Sequence, residues 1–227
     1  MQKNENYYDA AYFNEQRAVG QRSGKRLSKI FSQYIKETDI VLDFGCGGGY
    51  LLNNINCDKK LGFDINQSAL NNAKTFGIEC YQDLELIRDK SLDVIISNSC
   101  LEHVPNPLIS ILTLKDKLKK GGVIILSVPH ETIDYLYKKD DWNYHLYTWS
   151  PMAIGNLLNE AGFKKIKVES LKGVQAPLAN LFKNKYWDFF IDLMSKPYRI
   201  LRLIASELGI KGLAIDGNSL AVGVVNK

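Results

Sequence analysis

The sequence predicts an α/β chain with a doubly wound, mostly parallel sheet of seven strands and helical inserts. Three observations carry that expectation. Short apolar runs alternate with stretches of helical periodicity between residues 40 and 171, the pattern of strands covered by helices on both faces. A glycine run, Gly45-Cys46-Gly47-Gly48-Gly49, follows the first apolar run directly, at the edge where such sheets bind ligands. The length of 227 residues suits a single domain, 1–227, able to bury roughly 70% of its unfolded surface without disulfides or a structural metal.

In chain order, residues 24–36 place Leu27, Ile30, Phe31, Tyr34 and Ile35 on one helical stripe. Ile40-Val41-Leu42 reads as a buried strand ending at Asp43, and the glycines then open a helix. A second strand is expected over 61–65, with Asn66 capping a helix that carries Ala69, Leu70 and Ala73 and stops at Gly77. Strands follow at 78–82 and 92–97. Asn106-Pro107 starts a helix bearing Leu108, Ile111, Leu112 and Leu118, closed by Gly121. A strand at 123–128, a helix from Ser150-Pro151 to Gly162, and strands at 166–171 and 219–225 complete the set. The stretches 130–149 and 172–217 break the alternation and are expected to recognise the substrate.

Composition excludes several classes. Apolar residues make up 45% and charged residues 24%, so global disorder is excluded. A net charge of +4 is too mild to indicate nucleic-acid binding without a local cluster. The polar opening MQKNENYYDA lacks the apolar core of a signal peptide, and no run of 18 apolar residues predicts a membrane span. Cys46, Cys57, Cys80 and Cys100 form no CxxC pair. A reduced, cytoplasmic protein is the expectation.

The glycine run can approach a ligand closely and presents free N–H groups at a helix start. Asp64 lies nineteen residues after Gly45, where a carboxylate can accept both hydroxyl hydrogens of a ribose. The spacing points to a nucleoside cofactor. Tyr50 stands where a dinucleotide fingerprint needs its third glycine. Asp43 would repel a pyrophosphate and stabilise an ammonium or sulfonium group. The cofactor is therefore expected to be cationic near the loop.

VLDFGCGGGYLL resembles the first motif of class I S-adenosylmethionine-dependent methyltransferases, and GFDI resembles their second. SLDVIISNSCLEHVPNP, LKKGGVIILSVP and HLYTWSPMAIGNLLNEAGF are similar to the later motifs of a small-molecule subgroup that includes ubiquinone and menaquinone methyltransferases. The resemblance covers about residues 38–171 and the final strand. It implies a Rossmann-like fold with S-adenosylmethionine as cofactor. It also implies that Asp43 and the backbone of Gly45, Cys46 and Gly47 hold the methionine part, and that Asp64 holds the ribose. Ile65 would pack on the adenine, Asp83 would approach its amino group, and Asn98 would lie beneath the methionine.

An acceptor hydroxyl or amine must lose a proton, which suits a histidine base. The chain has three, His103, His130 and His145, all expected at one rim of the sheet. His103 is the first choice and His145 the reserve. Asp140, Asp141 and His145 match no strong metal-ligand spacing, so no metal is expected. Tyr7, Tyr8, Tyr12 and Phe13 precede Arg17 and Arg22 within lid helices expected over about 1–37. An arginine there could pair with the methionine carboxylate, or the segment could be a surface helix packed by its aromatics.

Residues 178–211 combine broad apolar helical faces with six basic and three acidic residues. Within the insert at about 172–217 they could form a cap over the site, a homodimer contact, or a peripheral contact with a membrane or lipid carrier. The expected activity is methyl transfer to a small-molecule acceptor at a hydroxyl oxygen, on a cell-surface sugar, a lipid-linked precursor or a secondary metabolite. A nicotinamide-dependent oxidoreductase is disfavoured by Asp43 and Tyr50. A non-catalytic cofactor-binding protein is disfavoured by the retained acids and histidines. Asn98-Ser99-Cys100-Leu101 lacks the motif that grips a flipped base, so nucleic acid is not an expected partner.

Overall fold

The computed structural model describes residues 10–130, 137, 139, 143–171 and 217–225. Seven strands form one sheet in the order β3-β2-β1-β4-β5-β7-β6. In chain order they are β1 (Ile40–Phe44), β2 (Lys59–Phe63), β3 (Glu79–Tyr81), β4 (Leu92–Asn98), β5 (Leu118–His130), β6 (Lys164–Leu171) and β7 (Gly217–Val224). The first five pair in parallel, and β7 runs antiparallel between β5 and β6. The helices are α1 (Ala10–Phe31), α2 (Tyr50–Asn53), α3 (Gln67–Lys74), α4 (Pro107–Lys117) and α5 (Pro151–Glu160). The order reverses between β1 and β4, so the loops after those strands flank the switch point where ligands bind such sheets.

The unbroken apolar runs of the central strands follow from burial on both faces. Successive side chains point to opposite sides. On one side Leu42, Ile95, Ile124 and Leu126 meet Ile111, Leu114, Ile154 and Phe163. On the other Val41, Val94, Ile96 and Ile125 meet Phe31, Leu52 and Ala73. Each of these Val, Ile and Leu side chains contributes about 1.5–3 kcal/mol relative to exposure.

Several boundaries differ from expectation. The first helix runs from Ala10 to Phe31, longer and earlier than 24–36, because its N-terminal half is polar and docks through glycines. β2 ends at Phe63, whose carbonyl accepts from the amides of Gly45 and Cys46 at 2.8 and 2.9 Å. Asp64 therefore stands just beyond the strand. α4 stops at Lys117 and β5 begins at Leu118, which pairs with Leu92. Gly121 lies inside that strand at φ +77 beside an irregularity in the β4–β5 pairing, so it marks a bulge and not the helix end. The cap expected over 172–217 falls outside the described residues except for Gly217, which opens β7.

Candidate active site

The turn after β1 is built by backbone geometry that side chains resist. Gly45, Gly47 and Gly49 have φ of +78, +50 and +80. A Cβ on Gly45 would lie 2.3 Å from Cys100 Sγ, so the β4 loop presses directly on the turn. A Cβ on Gly47 would meet nothing within 4 Å, which leaves open space above the turn. Cys46 is buried, and its Sγ packs against Gly62. Burial, aided by nearby acids, pushes its thiol well above the ordinary range. It fills space and keeps its proton.

Two acids converge on this turn. Asp64 Oδ2 accepts from the Gly47 amide at 2.7 Å, and its Oδ1 accepts from the Asn66 amide at 2.9 Å. Burial raises the Asp64 carboxyl, while the amides of Asn66, Gly47 and Ile65 pull it back. A carboxylate offers about four lone-pair sites, so with three amides beside it Asp64 can still accept from a ribose hydroxyl. Asp43 is only 2% exposed. No described residue supplies it a hydrogen bond or an opposite charge. Burial, then the neighbouring Asp64, push its carboxyl up to about 8. A buried carboxylate without a cation is costly. Open space over Gly47 and a partnerless acid beneath it fit a positively charged nucleoside, so these residues suit S-adenosylmethionine.

Where the sequence resemblance expects the adenine, Ile65 presents an apolar side chain that is 48% exposed. Gln82 donates to the Ile65 carbonyl at 2.9 Å and fixes that loop. Asp83 is exposed after β3 and accepts from the Glu85 amide at 2.9 Å, capping the short 3-10 turn Leu84–Leu86. Asn98 closes β4 with its Oδ1 buried and without a partner among the described residues. Ser99 follows at φ +50, held by its amide to the Ser127 carbonyl at 2.8 Å. That twist turns the chain into the 3-10 turn Leu101–His103.

His103 and His145 meet there, with ring centroids 4.9 Å apart and planes at 68°. Glu102, with no exposed surface, brings a carboxyl oxygen to 3.9 Å from His103 Nε2. One donor atom from each of Glu102, His103 and His145 lies within 4.8 Å of the other two. The segment 143–149 is strapped to this turn. The amides of Leu146 and Tyr147 donate to the Glu102 carbonyl at 2.9 and 3.2 Å, and the Tyr147 hydroxyl donates to the Pro105 carbonyl at 2.9 Å. Burial first, then His145, push His103 down to about 4, against its hydrogen bond to the Tyr144 carbonyl. His130 sits exposed at the end of β5, opposite Gly217, outside the cluster of three. Asp140 and Asp141 lie outside the described residues.

Two features escape a reading of spacing alone. Glu102 in LEHV carries no sequence signal of burial, yet it has no exposed surface, and its carbonyl receives two amides of the strap. Tyr50 opens α2 in a notch of α1, where a Cβ on Gly20 would lie 2.6 Å from its ring and one on Gly24 would lie 2.5 Å from its carbonyl oxygen. The GQRSG spacing of those two glycines was the available signal. Phe13 of α1 reaches Gly48 beside the same ring, so α1 lies against the glycine turn. Tyr7 and Tyr8 fall outside the described residues.

Comparison with known proteins agrees with this geometry. A family model described as a methyltransferase domain matches residues 13–168. A ubiquinone biosynthesis O-methyltransferase of Rickettsia bellii is 28% identical over 174 residues, covering 65% of this chain and 70% of that protein. One from Rickettsia akari is 26% identical over 215 residues, covering 82% and 83%. A solved S-adenosylmethionine-dependent methyltransferase from Archaeoglobus fulgidus superposes with a TM-score of 0.66 at 20% identity, covering 95% of this chain and all of that one; that likeness is one of fold. Motifs, fold and family match converge, and the chain belongs to the methyltransferase-domain family as a class I S-adenosylmethionine-dependent methyltransferase.

Proposed function

We propose that the protein methylates a hydroxyl oxygen of a small organic acceptor. The observation that carries this reading is the histidine pair beside Glu102, at the loop that presses on the glycine turn. A hydroxyl is a poor nucleophile until its proton leaves, and an imidazole within about 2.6–3.2 Å of it can take that proton. The relatives are named as ubiquinone biosynthesis O-methyltransferases, which supports oxygen as the acceptor atom and a ring hydroxyl as the first class to try.

S-adenosylmethionine, when bound, supplies the methyl group and keeps the electron pair of the broken carbon–sulfur bond on sulfur. The chain's own part is to bind, orient and move one proton. Asp64, set by the Gly47 amide, holds the nucleoside end, and Asp43 offsets the positive charge. His145 receives the acceptor's proton, with His103 behind it. His103 has its Nδ1 buried and a hydrogen bond committed to the Tyr144 carbonyl, so contact with the acceptor passes to its neighbour on the strap. Holding two reactants in line supplies most of the remaining acceleration.

The test is product analysis. The protein is incubated with methyl-labelled cofactor and a panel of phenols, catechols, quinols and sugar alcohols, each paired with an amine analogue. A labelled methyl ether supports the reading. Label found only on nitrogen or carbon, across the whole panel, overturns it.

A further inference from the structure

We propose that the outer face of α1 is a docking surface for an anionic lipid bilayer. This surface is separate from the methyl-transfer site and from the O-methylation reading. Residues 16–36 contain six basic residues, Arg17, Arg22, Lys25, Arg26, Lys29 and Lys36, and no Asp or Glu. The whole chain carries only +4. One short segment therefore holds more than the entire net charge, and the rest of the chain is net negative.

The helix sorts these charges by face. Gly24, Ser28 and Phe31 are buried on its inner side, where Gly20 and Gly24 receive Tyr50. At 3.6 residues per turn, Arg22, Arg26 and Lys29 fall on the opposite side with Lys25 at its edge, and all four are exposed. Among the described residues, no carboxylate pairs with the side chains of Lys25, Arg26 or Lys29. Like charges three and four residues apart weaken a helix, and an anionic surface outside removes that cost.

The partner follows from the shape and chemistry of this face. A nucleic-acid duplex is gripped by donors around its phosphates and by side chains entering a groove, and a single strand by aromatic stacking. From Asn14 to Ile30 the helix has no aromatic residue, so it offers bases no platform. Val19, 52% exposed, lies two turns before Arg26 on the same side. Cations on long apolar stems beside an exposed valine suit a flat lipid surface, where the stems lie along the interface and the charges meet headgroups. The inner face of α1 is committed to the protein core, so the helix docks by charge and does not insert. Its inner face also packs on the glycine turn, which docking would hold within roughly one helix diameter, about 10 Å, of the lipid.

Cosedimentation of the full chain with vesicles tests this, using phosphatidylcholine alone and an equal mixture with phosphatidylglycerol. The native chain should bind the mixed vesicles, release as salt is raised, and ignore the neutral ones. Near an anionic surface each Lys or Arg raises partitioning by about fivefold. Lys25→Gln, Arg26→Gln and Lys29→Gln should each lower it by about that factor, and together by roughly a hundredfold. Glutamine keeps good helix propensity, so the triple variant should melt no lower than the native chain and bind cofactor as tightly. If the triple variant does not fold, any one folded single variant reads the fivefold step.

No binding to mixed vesicles, or equal binding to neutral ones, overturns the proposal. Native-level binding by a folded triple variant also overturns it, by placing the contact on another segment such as 178–211. Tighter capture by a DNA duplex than by mixed vesicles at the same ionic strength gives the face to nucleic acid and overturns it as well.

Discussion

The amide of Gly47 donates to Asp64 Oδ2 at 2.7 Å. This single bond joins the turn after β1 to the acid after β2, so the glycine turn and Asp64, the acid proposed to hold the ribose, are set as one unit. Asp64→Ala removes the bond and the proposed ribose acceptor together. Cofactor affinity should fall by roughly 1.5–3 kcal/mol, the range for charge-assisted hydrogen bonds, as read by calorimetry. Asp64→Asn retains an oxygen for Gly47 and should preserve the melting temperature better than Asp64→Ala. Native affinity in the alanine variant would remove Asp64 from the cofactor site.

Asp43 makes cofactor binding depend on pH. Its carboxyl is raised from 3.8 to about 8 by burial and by Asp64. Between those values the folded, cofactor-free protein holds a proton that the unfolded chain has lost. Its contribution to stability is therefore full below about pH 4, declines as pH rises, and levels off above about 8. A cationic cofactor favours the ionised acid, so binding should release a proton, and affinity should rise by up to about tenfold per pH unit from 6 to 8. Calorimetry in buffers of different ionisation enthalpy counts that proton. Asp43→Asn should flatten the pH dependence; an unchanged slope would place the titration elsewhere.

The glycine notch of α1 makes two neighbouring substitutions unequal. A Cβ on Gly24 meets the backbone oxygen of Tyr50 at 2.5 Å, whereas one on Gly20 meets its ring at 2.6 Å. Backbone cannot yield as a side chain can. Gly24→Ala should therefore destabilise by about 1–3 kcal/mol, even though alanine favours a helix interior by about 1 kcal/mol. Gly20→Ala should recover when Tyr50 is also replaced by alanine, and Gly24→Ala should not. Thermal melts of the four variants check the pattern, and equal rescue at both positions would contradict it.

How much of this was legible follows from what kind of interaction set each feature. Val41, Leu42 and the glycines announce a strand and a turn because local periodicity and positive φ dictate them. The spacing from Gly45 placed Asp64 beside the glycine turn, where its Oδ2 accepts from the Gly47 amide, since strand and helix lengths in one crossover vary little. Asn66 was found as a cap, and its Oδ1 does accept from the amides of Ser68 and Ala69 at 2.9 and 3.2 Å. The start of β5 was missed because Leu118-Lys119-Lys120-Gly121 reads as the last turn of the preceding helix, closed by a glycine. Lys119 is instead drawn in by an ion pair with Asp93 at 2.8 Å, and Asp93 also accepts from the Ile40 amide at 3.0 Å. The burial of Glu102 and the notch around Tyr50 arise from contacts between distant segments, which no local pattern records.

Gly45 offers a test in which strain and collision separate. Its φ of +78 disfavours any side chain, at a cost of about 1–3 kcal/mol for residues held in sparsely populated backbone regions. A Cβ there would also lie 2.3 Å from Cys100 Sγ and 2.6 Å from Cys100 Cβ, atoms of a loop held by the Ser99–Ser127 backbone bond. Gly45→Ala should thus lower both the melting temperature and the cofactor affinity, since the displaced Cys100 atoms press on the glycine turn proposed to hold the cofactor. Cys100→Gly removes the colliding atoms but not the backbone strain. In that background Gly45→Ala should lose only the strain part, giving a coupling energy of about 0.5–3 kcal/mol between the two sites. A coupling near zero, with each substitution simply adding, would mean that the loop after β4 moves aside freely. The close packing of Cys100 on the glycine turn would then carry no energetic weight.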